Sequence, residues 1–130
     1  MNTNITIDAT SATPLVLFDG EAGLLKLEGE SYPENSFAFY DPVLAAVRQF
    51  LDQGREPFEF EVALVYLNTS SIKCVMDILD LMEAAHRAGK TVAVRWRYDP
   101  DNDRALEMAE EFKEDISLPF HLIGERPVRI

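Results

Sequence analysis

With 130 residues, 47% of them hydrophobic and 27% charged, the chain is long enough for one domain with a buried core and has an ordinary globular composition. Its net charge of −11 argues against nucleic acid or anionic lipid as a ligand, because both call for a basic surface. A protein partner with basic patches is the favoured kind.

Residues 1–13 are rich in Thr, Asn, Ser and Ala and read as a loose lead-in. They lack the basic and apolar regions of a signal peptide. No apolar run approaches the ~18 residues of a membrane span. The single cysteine, Cys74, leaves no internal disulfide and suits a reducing compartment. A cytoplasmic protein with no membrane insertion is expected.

Two short apolar runs, 15–19 and 24–29, flank Asp19-Gly20-Glu21-Ala22-Gly23, a hairpin signature with glycines where positive φ is needed. Leu25 and Leu27 alternate with Lys26 and Glu28, as in a half-exposed strand. Residues 31–36 break the pattern. Asn35 or Ser36 offers an early helix cap, but Pro42 in a helix interior removes a hydrogen bond, and Asp41-Pro42 makes an equally good cap and first position. The helix is therefore expected over 42–53, with Val43, Val47, Phe50 and Leu51 on one face and Gly54 ending it.

The segment 58–67 begins as an alternating strand and turns continuously apolar from Val62. That change predicts a second half covered on both faces. A helix is expected over 70–87, with Ile72, Val75, Met76, Leu79 and Met82 toward the sheet and Lys73, Asp77 and Asp80 solvated. A strand over 91–98 places Val92, Val94, Trp96 and Tyr98 on one face. A turn at 99–103 leads into a helix reaching about 114, with Leu106, Ala109 and Phe112 inward. A short strand at 118–123 and a polar tail at 125–130 complete the chain. The order is that of a single α/β domain spanning 1–130: an N-terminal β-hairpin, then alternating helices and strands in a mixed, mostly parallel sheet. Strand C-termini gather on one edge of such a sheet, so Thr69 and the 99–103 turn are expected there together.

At that edge Asn68-Thr69-Ser70-Ser71 joins a buried strand to a helix. The first N–H groups of a helix lack internal partners and carry the positive end of its dipole. Asn, Ser and Thr commonly cap such ends, and a phosphate placed there is also stabilised. Capping and a regulatory hydroxyl are thus both open, and they are compatible. Lys73, four residues after Thr69, is in helical reach to offset part of a phosphate's charge, although an exposed lysine is the commoner role.

Other candidates are weaker. Asp99-Pro100-Asp101-Asn102-Asp103 faintly resembles a calcium loop, but the position that demands Gly holds Arg104 and the segment follows a strand. A small metal-dependent enzyme or calcium-binding domain using this turn and His121 is the alternative function, and a structural oligomerisation module is a third. No Gly-rich phosphate loop, paired metal-ligand spacing or nucleophile elbow occurs. His86 reads as a surface residue and His121 as a partly buried one, while Cys74 reads as a packing residue.

Four stretches together carry a family resemblance: Gly29-Glu30-Ser31-Tyr32-Pro33-Glu34-Asn35-Ser36, Tyr66-Leu67-Asn68-Thr69-Ser70-Ser71-Ile72-Lys73, Met76-Asp77-Ile78-Leu79-Asp80-Leu81 and Arg95-Trp96-Arg97-Tyr98-Asp99. Over roughly residues 15–120 the chain resembles the SiaC family of bacterial regulatory phosphoproteins. The resemblance implies a STAS-like fold, as in anti-sigma-factor antagonists, and an adaptor with no catalysis and no cofactor. It implies that Thr69 is phosphorylated by a serine/threonine kinase and dephosphorylated by a PP2C-type phosphatase. It further implies that the unmodified form activates a GGDEF diguanylate cyclase, raising cyclic di-GMP and favouring biofilm. Asn68, Ser70, Ser71 and Lys73 are the expected partner contacts around that threonine.

Overall fold

A computed structural model describes residues 3–126. Its elements run β1 (Asn4–Ile7), β2 (Leu15–Asp19), β3 (Leu24–Ser31), α1 (Ser36–Asp52), β4 (Phe58–Leu67), α2 (Thr69–Arg87), β5 (Val92–Tyr98), α3 (Asp103–Glu114) and β6 (Phe120–Gly124). Of the expected polar tail, residues 127–130 lie outside the described residues, as do residues 1–2.

One six-stranded sheet holds the strands in sequence order. β1, β2 and β3 pair antiparallel, and β3 through β6 pair parallel. Each parallel crossover carries one helix. Right-handed crossovers that always step in the same direction place all their helices on the same face. The other face is left to water, and there the charged residues of the strands pair, Arg95 of β5 with Glu59 of β4 at 3.4 Å and Lys26 with Glu28 along β3 at 3.6 Å. The mixed α/β architecture with its leading hairpin is the one the sequence predicts. Gly23 takes φ 74° in the hairpin turn, and a side chain there would meet the Pro57 carbonyl.

Four features differ from expectation. The lead-in is ordered at Asn4–Ile7, where β1 pairs with β2 and Ile5 and Ile7 pack on the core. Its alternating isoleucines are the strand signal. Helix α1 begins at Ser36, capped by Asn35, with Pro42 inside it. Burial of Ser36 and Tyr40 in its first turns outweighs the ~3 kcal/mol that an interior proline costs. The second half of β4 is covered on one face only: Val65 is 58% and Tyr66 53% exposed. An irregularity beside Gly29 shifts the register so that Gly29 pairs with Leu64 and Glu30 with Tyr66, leaving Val65 extra. Helix α2 buries Cys74, Val75, Ile78, Leu79 and Met82, whereas Met76 is exposed. Ser71, fully buried, sets that rotation.

The one-sided sheet also reverses the histidines. His121, on the uncovered face, is exposed, and His86 is half-buried. In α3 the buried side chains are Ala105, Ala109 and Phe112, with Leu106 half-buried. Trp96 stacks between Phe112 and Phe120 at 5.0 and 5.8 Å, closing the core under α3.

A carboxylate clamps α2 to the turn before β6. Glu83, almost fully buried, accepts from Ser117 Oγ at 2.6 Å, from the Ser117 and Leu118 N–H groups at 3.0 Å each, and from Arg87 at 3.1 Å. The Ser117 hydroxyl, the two backbone donors and Arg87 together outweigh burial and draw its pKa from 4.5 down to about 2. A depressed carboxyl pKa stabilises the fold fully above the unfolded-state value and loses that stabilisation as pH falls through the folded-state value. Urea melts should therefore show stability falling between about pH 5 and pH 2. Glu83→Gln should be less stable at neutral pH and its stability should change less across that window.

Candidate functional site

The parallel strands β3 and β4 end together, Ser31 opposite Leu67, and both lead into helices. The Asn68 N–H donates to the Ser31 carbonyl at 2.9 Å, fixing where β4 stops. Asn68 then caps α2: its Oδ1 accepts from the Ser71 N–H at 2.9 Å and its carbonyl from the Ile72 N–H at 3.0 Å. Asn35 does the same for α1, its Oδ1 accepting from the Ala38 N–H at 3.1 Å. Two positive helix ends therefore meet at one sheet edge.

Beneath them runs a chain of side-chain hydrogen bonds. Tyr40 OH lies 2.7 Å from Ser31 Oγ, which donates to Ser71 Oγ at 2.8 Å. Ser71 Oγ lies 3.1 Å from Ser36 Oγ, and Ser36 Oγ donates to Asn68 Oδ1 at 3.3 Å. Ser70 joins by donating to Ser36 Oγ at 2.8 Å. One direction of donation satisfies every member: Tyr40 to Ser31 to Ser71 to Ser36 to Asn68, ending on an amide oxygen that only accepts. Ser31, Ser36 and Ser71 are buried, so a broken link strands a polar group away from water. Burial, partly offset by the bond to Ser31, pushes the Tyr40 phenol up to about 12 and keeps its proton in place.

Thr69 stands on top of this network as the first residue of α2. Its side chain is exposed, and among the described residues nothing holds its hydroxyl. Around it the structure gathers apolar surface. Tyr32 and Tyr66, 40% and 53% exposed, meet edge to face at 5.7 Å. Phe37, 53% exposed, follows Ser36, whose hydroxyl touches Ser70. Exposed aromatic clusters of this kind mark contact surfaces.

Of the four residues expected beside Thr69, Asn68 and Ser70 are half-buried and reach the surface. Ser71 is fully buried and belongs to the inner network, so it offers no contact to a partner. Lys73 is exposed, but its ammonium is paired to Asp77 at 2.8 Å, and that bond raises its pKa. Ser31, Ser36 and Tyr40, and the aromatic rim, are not singled out by local pattern. Ser31, Tyr32 and Ser36 lie in the 29–36 stretch that carries the family resemblance, and Tyr66 lies in the central one.

The 99–103 turn does lie at the same edge, since β4 and β5 run parallel. Its side chains are used locally: Asp99 Oδ1 accepts from the Asp101 N–H at 2.9 Å, and Asn102 caps α3. No group of three or more His, Cys, Asp or Glu side chains is placed to hold a metal among the described residues. A depression of about 610 Å³ opens nearby, lined in part by Ala63, Val65 and Arg97. Of its charged lining residues Arg97 pairs with Glu125 at 3.6 Å and Arg126 with the neighbouring Asp101 at 3.5 Å, and Thr69 does not line it. Among the described residues no helix is long and apolar enough to cross a membrane.

Comparison with known proteins places this geometry. The model of the SiaC family regulatory phosphoprotein matches residues 7–125. An uncharacterised protein of Pseudomonas aeruginosa strain UCBPP-PA14 is 51% identical over 114 residues, 88% of this chain and 90% of that protein. The solved structure of SiaC of Pseudomonas aeruginosa has a TM-score of 0.88 at 46% identity, covering 95% of this chain and 99% of that chain. A crystal structure of the diguanylate cyclase SiaD in complex with its activator SiaC, also from Pseudomonas aeruginosa, contains a chain matching at TM-score 0.90 and 48% identity. That match covers 93% of this chain and 99% of that chain.

Asn68→Ala removes the cap of α2 and the acceptor that ends the hydroxyl chain. It should lower stability by about 1–2 kcal/mol in thermal or urea melts. Asn68→Asp, which keeps an acceptor oxygen, should recover most of that loss. Equal stability of Asn68→Ala and the natural chain would contradict the assigned network.

Proposed function

The chain belongs to the SiaC family of regulatory phosphoproteins, and we propose that it is a non-enzymatic adaptor whose partner binding is switched at Thr69. The unphosphorylated form binds and activates a diguanylate cyclase. A serine/threonine kinase turns this off by phosphorylating Thr69, and a PP2C-type phosphatase restores it. The observation that carries the reading is Thr69 itself: an exposed, unheld hydroxyl at a capped helix start, with exposed Tyr66 three residues before it and exposed Phe37 beside Ser36, which bonds to the neighbouring Ser70. The SiaC chain matched in complex with the cyclase SiaD, described as that enzyme's activator, supports the choice of partner.

The switch follows from the chemistry of the surface. Phosphorylation replaces the hydroxyl proton with a group carrying about −1.5 to −2 charge. The N–H groups of Thr69 and Ser70, at the open end of α2, favour an anion there, so the fold tolerates the group. A partner seated on the aromatic rim would have to strip water from it, which costs far more than covering a neutral alcohol. Release therefore comes from local desolvation rather than from long-range repulsion. Added salt, which screens repulsion, should leave it in place.

Binding of the cyclase, followed by calorimetry, should survive Thr69→Ala within about twofold. Kinase-phosphorylated protein, or Thr69→Glu as its imitation, should bind at least about tenfold more weakly, equivalent to 1.4 kcal/mol. Mass spectrometry after incubation with kinase and ATP should place the phosphate on Thr69 and not on the buried Ser71. Equal cyclase affinity for the alanine and the phosphorylated forms would overturn the switch.

A further inference from the structure

Helices α1 and α2 pack along each other, but α2 and α3 make little direct contact. Between them lies a groove of about 280 Å³, room for a few side chains rather than a cofactor. Its floor is apolar: Ile72, Met76 and Leu79 from α2, and Met108, Phe112 and Ile116 from α3 and the turn beyond it. Met76 is 46% exposed at its centre. Methionines are flexible and polarisable, and they line surfaces that accept varied apolar partners.

The rim carries one sign of charge. Asp80, Glu111 and Asp115 are exposed at the groove and make no ion pair among the described residues. No lysine or arginine lines it. An apolar floor under a purely acidic rim is complementary to an amphipathic helix with an apolar stripe and flanking Lys or Arg. A second copy of this chain is the poorer fit, because its own charge of −11 would meet the acidic rim.

We infer that the α2–α3 groove is a docking site for a basic amphipathic helix of a partner protein, separate from the aromatic rim around Thr69. The groove begins at Ile72, one turn beyond Thr69, and its centre at Met76 lies about 10 Å further along the helix axis than Thr69. A phosphate on Thr69 adds negative charge beside a cationic ligand, so this contact survives the modification that releases a partner from the rim.

The test uses the whole chain and a defined probe, a peptide of about 18 residues with leucines at i, i+3, i+4 and i+7 and Lys/Arg flanks. With methionine methyls labelled for NMR, the peptide should shift Met76 and Met108 and leave the fully buried Met82 unmoved. Met76→Glu should weaken binding at least about tenfold, while Glu111→Lys should weaken it about threefold or more and flatten its dependence on salt. Glu21→Lys makes the same charge change in the distant hairpin turn and should have no more than a small effect. The inference is overturned if the peptide does not bind, if Glu21→Lys weakens it as much as Glu111→Lys, or if Met76 responds instead to self-association of the chain.

Discussion

The constraint on which the rest of this structure depends is the buried run of hydroxyls from Tyr40 through Ser31, Ser71 and Ser36 to Asn68. Its five members come from three parts of the edge: the end of β3, the first turns of α1, and the junction of β4 with α2. In water these groups would all be satisfied without folding. Once buried, they are satisfied only by one another, so the edge has a single low-energy arrangement. That arrangement fixes the register at which β4 ends, the starting residue of both helices and the rotation of α2. Thr69 is outside because Ser71, two residues on, is inside.

A second consequence runs through the sheet. Because the strands lie in sequence order, every crossover lands on the same side, and the domain has one thick face and one bare one. Ion pairs along and between the strands suit the bare face to water. The thick face cannot be closed completely by three helices, and the gap between α2 and α3 is the result. The two surfaces proposed for docking thus lie where this architecture runs out of its own cover, the strand-end edge and the helix gap.

For a regulatory phosphoprotein the separation of these tasks has a physical logic. A switch residue must change its chemistry without endangering the fold. At the first position of a capped helix an added anion is compensated locally by unpaired N–H groups and the helix dipole. The energetic effect is therefore exported to whatever binds over it. In the proposed switch the inner network carries stability and geometry, and the exposed Thr69 carries the signal. Their adjacency would let the proposed modification act on partners with little change in the domain's own structure.

Much of this was legible in the chain itself. Alternation and helical spacing mark the hairpin, the long strand, both later helices and the α/β order, because these patterns depend only on which neighbours a residue has along its own element. Asn68-Thr69-Ser70-Ser71 is recognisable as a helix start for the same local reason. What local pattern could not assign was decided across elements. Pro42 argues for a late start to α1, and only the packing of Ser36 and Tyr40 against β3 and α2 overrules it. The apolar end of β4 reads as interior, yet Val65 and Tyr66 face water because all helices fall on the other side. Met76 matches the buried spacing, but the anchoring of Ser71 turns it outward. Local pattern determined where most of the elements and the hydroxyl of Thr69 lie. The tertiary structure alone decided which face is covered, which serine is buried and which aromatics stay exposed, because burial is set by partners distant in sequence.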